Sequence, residues 1–341
     1  MTEPIRWGVV ATGGIAAAWV NDLGRVSDAE VIAVASRSDD SAARFATEHH
    51  IGRPYGTWQA LAADPDVEIV YVAGPHPAHH AAARMMLEAG KAVLCEKPLT
   101  LNAAQTEDLI AVAAKQRVFL AEAMWTRTLP AVLEAVRLAA DGAIGDVVAV
   151  SADFSFASGA GPEHRLRNPA LGGGALLDVG VYVLALAQLF MGSPDTVSAL
   201  SRMSPEGVDA STAILLGYRP RGDDAPRWRA SAAYSSLTCG VDVSGSCTAT
   251  IAGTSGRIEL PHRFHRPESL MLHRGSDVER IEMPIDGHGL RFPAIEAMRC
   301  MRDGLIESPR LPHAATLAVM RTMDEIRTQT GVRYPHEATA A

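Results

Sequence analysis

The stretch AVLCEKPLTLN, from Ala92 to Asn102, places a lysine directly after a short apolar run. Such a run is typical of a buried strand, so we expect Lys97 at the strand's end, between Glu96 and Pro98. Because proline fixes φ and restricts the residue before it, Lys97 is predicted to be extended, and the Lys97–Pro98 bond can be cis. An ammonium group there could stabilise a developing alkoxide; a surface lysine that starts a loop is the structural alternative.

A second pair of candidate groups lies in LLDVGVY, where Asp178 and Tyr182 are four residues apart. A helix places both side chains on one face. A nearby cation favours the phenolate of Tyr182, which could remove the hydroxyl proton of a carbinol, and Asp178 could orient a substrate hydroxyl or the lysine. The alternative for Tyr182 is a core tyrosine whose hydroxyl is satisfied.

A glycine turn follows the first predicted strand, in GVVATGGIAAAW. Ala11, Gly13 and Ala16 occupy the three positions of the G-x-G-x-x-G/A pattern, with alanine in place of the first glycine. Small residues there let a pyrophosphate approach the backbone, and the helix that follows presents its N–H groups to the negative charge. An ordinary strand-to-helix turn is the alternative. The residues predicted to bind a dinucleotide here are Ala11, Thr12, Gly13, Gly14 and Ile15.

The end of the second strand, ASRSDD, bears on which dinucleotide binds. Ser36, Arg37 and Ser38 stand where a carboxylate would hold the ribose 2′-hydroxyl of NAD, whereas an arginine receives the 2′-phosphate of NADP. Asp39 and Asp40 are predicted in the first turn of the next helix, where acids suit the helix dipole. The hypothesis is therefore NADP, with NAD possible; the alternative makes Arg37 a solvated loop residue.

The pattern of predicted strands and helices changes along the chain and indicates two domains. Up to about residue 123, short β-branched runs alternate with helical stretches, which predicts a doubly wound parallel sheet. After Pro130, one helix, a strand and an apolar helix precede a series of strands at hairpin spacing, which predicts an α+β domain on a large, mainly antiparallel, open sheet. The predicted domains are 1–123 for the dinucleotide and 124–341 for the substrate and for dimerisation. The ligand site is expected in the cleft between them, at the carboxyl ends of the parallel strands.

Composition narrows the classes of partner. The chain has 341 residues, 48% of them apolar and 21% charged, with a formal net charge of -8 and a pI near 5.8, so nucleic acid is not an expected partner. Its four cysteines lack C-x-x-C spacing, which indicates reduced thiols and a cytoplasmic location. We expect no signal peptide and no apolar stretch of the roughly 18 residues that span a bilayer.

The glycine turn, CEKPLTLN, AEAMWTRTLPA and GGGALLDVGVY together resemble the glucose–fructose oxidoreductase, inositol dehydrogenase and rhizopine catabolism (Gfo/Idh/MocA) family. The resemblance is greatest to its branch of dimeric dihydrodiol dehydrogenases and NADP-dependent D-xylose dehydrogenases, and it extends to the tail 294–335. It implies an N-terminal Rossmann fold. It also implies that Lys97 binds the reacting oxygen and contacts the cofactor beside Glu96, and that Tyr182 handles the proton.

The resemblance implies further contacts. His79, with Pro75, would lie beside the cofactor, although Gly74 stands where relatives often carry threonine or asparagine. Trp125 and Phe154 would wall the substrate, with interdomain core as the alternative. His76 and His80 are four apart, but no carboxylate or thiolate joins them at ligand spacing, so no metal site is predicted.

The resulting hypothesis is a dehydrogenase that transfers hydride between NADP and a carbinol of an aldose, cyclic polyol or trans-dihydrodiol. Two alternatives stay open: a keto-sugar or dicarbonyl reductase that uses the same site in reverse, and a regulator that binds the dinucleotide without turnover. The alternation in RWRASAAYSSL leaves alanine and tyrosine on the sheet faces. A homodimer through the C-terminal sheet is therefore expected.

Overall fold

The structure is a computed structural model that describes residues 3–219 and 225–337. The chain forms two compact units. The first takes its residues from Met1–Trp125 and Asp286–His313, and the second from Thr126–Ile285 and Ala314–Ala341. The predicted division placed residues 286–313 in the second domain, whereas in the structure they pack with the first unit.

A six-stranded parallel sheet forms the centre of the first unit. Its strands are β1 (Ile5–Val10), β2 (Ala29–Ala35), β3 (Arg53–Tyr55), β4 (Ile69–Val72), β5 (Ala92–Cys95) and β6 (Leu120–Glu122). They lie in the order β3-β2-β1-β4-β5-β6, which reverses direction beside β1 and confirms the predicted doubly wound sheet. Strands β4 and β5 are buried at every position, as their unbroken apolar runs require. The sequence prediction missed β3, because a three-residue edge strand has too little pattern to detect.

The helices of both units are, in chain order, α1 (Gly14–Leu23), α2 (Asp39–His49), α3 (Trp58–Ala62), α4 (His76–Glu88), α5 (Ala103–Gln116), α6 (Pro130–Ala140), α7 (Val181–Met191), α8 (Arg291–Arg302) and α9 (His313–Thr330). In the first unit, Met86 and Leu87 of α4 and Leu109 of α5 are fully buried in the same core as β4 and β5. This packing fixes the carboxyl ends of β4 and β5, after which residues of the candidate site follow.

The carboxylate of Asp22, at the end of α1, explains why residues 286–313 join the first unit. It accepts hydrogen bonds of 2.9 Å from the backbone N–H groups of His288 and Arg291, and one of 3.0 Å from Arg291 Nη1. Its side chain has no exposed surface, so these donors compensate the cost of burying the charge. Asp22 and His288 are 266 residues apart in the sequence, so no sequence pattern indicates this contact.

An eight-stranded sheet forms the second unit. Its strands are β7 (Val147–Ser155), β8 (Thr196–Met203), β9 (Asp209–Tyr218), β10 (Arg229–Gly240), β11 (Ala249–Gly253), β12 (Arg257–Leu260), β13 (Ser269–Arg274) and β14 (Asp277–Glu282), in the order β14-β13-β12-β11-β7-β10-β9-β8. Strands β7 and β10 pair in parallel, and the other described pairs are antiparallel. The predicted mainly antiparallel sheet is confirmed.

The segment that precedes α7 corrects the prediction of a regular helix around Asp178 and Tyr182. Leu176–Gly180 is π-helical and runs directly into α7, so Asp178 lies in the wide turn and Tyr182 in the α-helix after it. Gly180 lies in this turn, where an added Cβ would come within 3.0 Å of Cys239 Sγ. Such π turns are frequent at functional sites.

The same segment also corrects the expectation about membrane spans. In the described residues, one helical stretch, Pro169–Met191, is long and apolar enough to cross a bilayer by length and composition. However, 89% of its most apolar window is buried within the protein, as in the core helix of a globular domain.

Candidate active site

The turn after β1 has the conformation that the dinucleotide pattern requires. Ala11 has a φ of 86°, in the left-handed region that glycine normally occupies, so the alanine substitution keeps the backbone of the first glycine. Its N–H group donates to Ala35 O at 2.9 Å, which fixes the turn against the end of β2. Beside it, the hydroxyl groups of Thr12 and Ser36 lie 3.5 Å apart.

The start of α1 fits an anionic group. Gly13 is the N-cap residue, no side chain caps the helix, and the first intrahelical bond is donated by Ala17 N–H to Gly13 O. A Cβ added at Gly13 or Gly14 would meet no atom within 4 Å, so the backbone here is open to approach. Ile15 is 40% exposed at the same turn. These residues could therefore hold the pyrophosphate of a dinucleotide.

The predicted cofactor-selective residues after β2 have different environments. Ser36 is buried, with its N–H bound to Tyr55 O, whereas Arg37 is exposed, and among residues 3–219 and 225–337 no side chain forms an ion pair with it. The hydroxyl of Ser38 caps α2 by accepting from Ser41 N–H at 3.3 Å. As predicted, Asp39 and Asp40 lie in the first turn of α2.

Lys97 lies on a fixed loop at the carboxyl end of β5. The loop from Glu96 to Leu101 is buried at every residue except Lys97, which is half-buried, and the Lys97–Pro98 peptide bond is cis. Glu96 N–H donates to Val72 O at 2.9 Å, and Leu99 N–H donates to the buried Glu122 carboxylate at 3.0 Å. The flanking backbone therefore holds the ammonium-bearing residue on both sides.

Glu96 is a buried carboxylate next to that lysine. Its Oε1 accepts a hydrogen bond of 2.5 Å from the hydroxyl of Tyr71, and its Oε2 lies 3.3 Å from Lys97 N. The Tyr71 ring stacks on Trp19 of α1 with 4.1 Å between ring centroids. In the neighbouring Cys95, burial raises the pKa of the thiol, and the charges of Glu96 and Glu122 raise it further, so this thiol is not a nucleophile.

His79 is fully buried and bound to the backbone of two loops. Its Nδ1 lies 2.9 Å from Pro98 O, and its Nε2 lies 2.9 Å from Gly74 O. Burial lowers the pKa of the imidazole and the charge of Lys97 adds to this, against the two carbonyl oxygens, which favour the protonated ring. The predicted cofactor contact thus has both ring nitrogens engaged by the chain itself. Pro75 is the N-cap residue of α4, the helix that carries His79.

In the second unit, Tyr182 and Phe154 belong to one aromatic cluster. Their ring centroids are 5.3 Å apart, and His265 stacks on Phe154 at 4.2 Å with an interplanar angle of 11°. His265 also lies 5.7 Å from the Tyr182 ring. The sequence prediction did not include His265, because it follows β12 in a loop that carries no recognisable motif.

Asp178, which was predicted to orient a substrate group, is 5% exposed and forms an ion pair with Arg165. The distance from Arg165 Nη1 to Asp178 Oδ1 is 2.7 Å. Arg165 comes from the long loop before the π-helical turn, whose conformation the sequence does not specify. Arg165 is thus, after His265, a second residue near the predicted site residues that sequence reasoning missed.

Trp125 belongs to the first unit and is half-buried at the start of a short 3₁₀ helix, Trp125–Thr128. In the second unit, Arg127 Nη1 donates to Gln188 at 2.7 Å, and Thr126 donates to His265 O at 2.7 Å. His80 Nε2 lies 2.8 Å from Asp108 Oδ2. Within the described ranges, no group of three or more His, Cys, Asp or Glu side chains could hold a metal ion.

Comparisons with known proteins agree with this assembly of motifs. Residues 5–124 match the family model described as "Oxidoreductase family, NAD-binding Rossmann fold", and residues 132–259 match the "GFO/IDH/MocA C-terminal domain". The trans-1,2-dihydrobenzene-1,2-diol dehydrogenases of Bos taurus and Oryctolagus cuniculus are 34% and 36% identical to the chain. Those alignments cover 98% and 96% of this chain and 99% of each relative.

Solved structures of similar fold include KijD10, a 3-ketoreductase from Actinomadura kijaniata in complex with NADP and TDP-benzene. It is 27% identical, has a TM-score of 0.82, and the match covers 96% of this chain and 98% of that one. An aldose-aldose oxidoreductase from Caulobacter crescentus, complexed with glycerol, has a TM-score of 0.84 over 96% of this chain and 98% of that one. At 22% identity it shows the fold alone. The predicted resemblance is confirmed, and the chain belongs to the Gfo/Idh/MocA family of oxidoreductases, with a nicotinamide-dinucleotide-binding Rossmann domain.

Proposed function

We propose that this protein is an NADP-dependent dehydrogenase that acts on a carbinol of a trans-dihydrodiol, a cyclic polyol or an aldose. The observation that carries the proposal is the position of Lys97. Its loop is otherwise buried and begins at the carboxyl end of β5, in the unit that also contains the Ala11–Gly13 turn. Ligands of open parallel sheets bind at the carboxyl ends of the strands.

The residues proposed to hold the cofactor lie on the first unit. Ala11, Thr12, Gly13, Gly14 and Ile15 would receive the pyrophosphate and the adjoining riboses, and Glu96 and Lys97 would lie at the nicotinamide end. Arg37 would bind the 2′-phosphate, because it is exposed and no carboxylate stands in its place. The complex of KijD10 with NADP supports the choice of NADP over NAD. When bound, NADP supplies the hydride acceptor.

Ser36, Ser38, Pro75 and His79 have indirect parts in this proposal. The hydroxyl of Ser36 lies beside that of Thr12 in the turn after β1, whereas the hydroxyl of Ser38 caps the start of α2. Pro75 begins α4, and His79 on that helix binds the carbonyl oxygen of Pro98. We propose that His79 supports the Lys97 loop and does not itself contact the dinucleotide.

Each catalytic side chain has a distinct role. The Lys97 ammonium would stabilise negative charge on the reacting oxygen as its proton leaves. Tyr182, ionised to its phenolate, would accept that proton and become a neutral phenol, and its ring is held for this role in an aromatic cluster. Asp178, oriented by Arg165, would bind a second hydroxyl group of the substrate.

The substrate class follows from the relatives and from the aromatic side chains. The curated relatives at 34% and 36% identity are named as dehydrogenases of a trans-dihydrodiol of benzene. We propose that the aromatic cluster of Phe154 and the stacked His265 lies against an apolar diol or the C–H face of a sugar. Trp125 is proposed as a further contact. A vicinal diol would have two hydroxyl groups to fill the two proposed roles: one would react, and the other would bind Asp178.

A second candidate is the reverse reaction, reduction of a keto-sugar or a dicarbonyl compound. The similarity to a 3-ketoreductase favours it, and hydride transfer at one site is reversible. A regulator that binds the dinucleotide without turnover is a third candidate, which the presence of Lys97, Asp178 and Tyr182 disfavours.

The deciding experiment follows NADPH absorbance in two directions. If the protein is a dehydrogenase, it should reduce NADP to NADPH in the presence of trans-benzene dihydrodiol, D-xylose or an inositol, and the absorbance should rise. If it is a reductase, it should oxidise NADPH in the presence of a 3-keto sugar or a dicarbonyl compound, and the absorbance should fall. Turnover of the diol or polyol supports the dehydrogenase, and turnover of the carbonyl panel alone supports the reductase. Binding of NADPH without turnover of any compound favours the regulator.

We also propose a homodimer through the outer face of the eight-stranded sheet, in the cytoplasm. Leu200, Leu215 and Tyr234 are 77%, 54% and 53% exposed, and in register they share this face with serine and alanine side chains. Such a patch is typical of an interface. The cysteines, all four free and buried, are consistent with a reducing compartment. Light scattering of wild type and of Leu215→Arg should give a dimer and a smaller species; a monomeric wild type would contradict the proposal.

A further inference from the structure

Asp209 is a buried carboxyl group next to the start of the helix that bears Asp178 and Tyr182. It is the first residue of β9 and has no exposed surface. Its Oδ2 accepts hydrogen bonds from Leu176 N–H at 2.7 Å and from Thr212 Oγ1 at 2.9 Å. Leu176 is the first residue of the π-helical turn, so this bond joins the sheet to the beginning of the helix.

The residue at the N-cap position of this helix supplies no side-chain cap. Ala175 is its N-cap residue and makes no side-chain hydrogen bond, so the carboxyl of a distant strand takes the place of a local cap. The first N–H groups of a helix lack intrahelical acceptors and carry positive partial charge, which favours an oxygen acceptor there. Asp178 lies two residues after Leu176 and Tyr182 six, so both follow closely on this contact.

The chain before the helix is shaped around the same carboxyl. Gly174 has a φ of 116°, and a Cβ there would come within 2.3 Å of Asp209 Oδ1, so only glycine fits. The carbonyl of Gly173 accepts a bond of 2.7 Å from the buried hydroxyl of Tyr334. Two buried groups thus fix successive positions just before the helix.

The charged and titratable groups that act on Asp209 are Arg327, Tyr334 and Cys239. Arg327 favours the carboxylate, and the charge of Asp209 helps to raise the pKa of Tyr334 and of Cys239. Asp209 Oδ1 has no hydrogen-bond partner among the residues that the structure describes. Burial, against these hydrogen bonds, raises the pKa of Asp209 to about 7.

We infer that Asp209 is a positioning residue: its bond to Leu176 N–H sets the placement of Asp178 and Tyr182 for the reaction. This inference rests on the proposed function. It predicts that loss of the carboxyl lowers turnover but leaves NADPH binding unchanged, since the dinucleotide turn belongs to the other unit. The bond also predicts a local effect on the helix that requires no catalysis.

The test uses the full chain with Asp209→Asn and Asp209→Ala. Hydrogen–deuterium exchange of peptides from 174–182 should be faster in Asp209→Ala and intermediate in Asp209→Asn. Peptides that contain Lys97 should exchange at the wild-type rate. In turnover, the ratio of wild-type to Asp209→Asn kcat should stay near one at pH 6 and rise severalfold by pH 8. Asparagine imitates the neutral form only, whereas the carboxylate is the stronger acceptor.

Asp153→Asn is the matched control, because Asp153 is a partly buried aspartate of the same sheet that accepts bonds from Thr238 and Ser155. It should change neither the exchange of 174–182 nor the pH dependence of the kcat ratio. Unchanged exchange in both Asp209 variants would overturn the inference; if Asp209→Ala does not fold, Asp209→Asn decides. If exchange is faster in the Asp209 variants but the wild type shows no turnover, the proposed function is refuted, whereas the role of Asp209 in holding the start of the helix is supported.

Discussion

The hydroxyl of Tyr71 donates a hydrogen bond of 2.5 Å to Glu96 Oε1, on the residue directly before Lys97. Because the Tyr71 ring stacks on Trp19 of α1, the loop that carries the lysine is tied to the helix whose start forms the dinucleotide turn. The start of α1, which is proposed to bind the dinucleotide, and the Lys97 loop are thus joined by one packed group of side chains. Changes at this loop should act on chemistry more than on folding of the second unit.

Lys97→Met should lower kcat by about a hundredfold or more, because the substitution removes the cation and keeps much of the volume. The dissociation constant for NADPH should change much less. Initial rates and a fluorescence titration with NADPH measure the two effects. Lys115→Met, at an exposed lysine on α5, is the control and should behave as wild type. A Lys97→Met enzyme with wild-type kcat would remove the lysine from the mechanism.

Tyr182→Phe should lower kcat by about two orders of magnitude while the aromatic contacts with Phe154 and His265 persist. Only the hydroxyl is lost, so the unfolding midpoint should stay close to that of the wild type. Rates across a pH series and thermal unfolding test this. Tyr234→Phe, at a half-exposed tyrosine of β10, supplies the comparison. Equal rates for the two variants would mean that the Tyr182 hydroxyl takes no part.

Arg37→Ala should weaken NADPH by about ten- to a hundredfold, because a charge-assisted hydrogen bond to a phosphate contributes about 1.5 to 3 kcal/mol. The affinity for NADH, which lacks that phosphate, should remain within about twofold. Titration of both cofactors by fluorescence measures the difference. Arg44→Ala, an exposed arginine on α2, should alter neither. If the wild type prefers NADH, the assignment of Arg37 is wrong.

His79→Ala should lower the free energy of unfolding by about 2 to 4 kcal/mol, since it opens a buried cavity and removes the ring N–H that donates to one of two neighbouring carbonyl oxygens. kcat should also fall, because the Lys97 loop loses its bond at Pro98. Urea unfolding and initial rates are the measurements. His80→Ala removes the partly exposed contact with Asp108 and should cost less than about 1 kcal/mol. Similar losses in the two variants would argue against a special role for His79.

Asp209 should make stability depend on pH near neutrality. The folded state raises its pKa from 3.8 to about 7, so the native chain binds this proton more tightly than the unfolded chain. The resulting stabilisation is complete below about pH 4 and is lost as pH rises towards 7, a change on the order of 4 kcal/mol. The unfolding midpoint of the wild type relative to Asp209→Asn should therefore fall between pH 5 and pH 8. Parallel profiles for the two proteins would contradict the shift.

Sequence patterns were sufficient where a feature is local. The apolar runs predicted β1, β4 and β5, and the glycine turn predicted the start of α1, even though Ala11 had to adopt a positive φ. The acidic pair Asp39 and Asp40 was placed in the first turn of α2 for the same reason: dipole and capping chemistry act within a few residues.

The remaining features depend on contacts between distant segments. Asp209 reaches Leu176 across 33 residues, and Asp22 reaches His288 across 266, so no spacing rule could pair them. Likewise, the resemblance implies only that His79 lies beside the cofactor, and the proximity of its ring nitrogens to Pro98 O and Gly74 O needed the structure. The π-helical turn at Asp178 could not be predicted either, because an apolar sequence is compatible with both a regular α-helical turn and a π-helical turn.

The return of residues 286–313 to the first unit has a consequence for protein engineering. A fragment that ended at Trp125 would lack α8 and the donors to the Asp22 carboxylate, and would expose the surfaces of α1 and β5 that α8 covers, so it should be insoluble or molten when expressed alone. A chimaera that exchanges nucleotide preference with another family member would need both stretches transplanted together. The first unit is thus built from two separated stretches of the chain, and a single crossover between residues 125 and 286 would combine halves of that unit from different proteins.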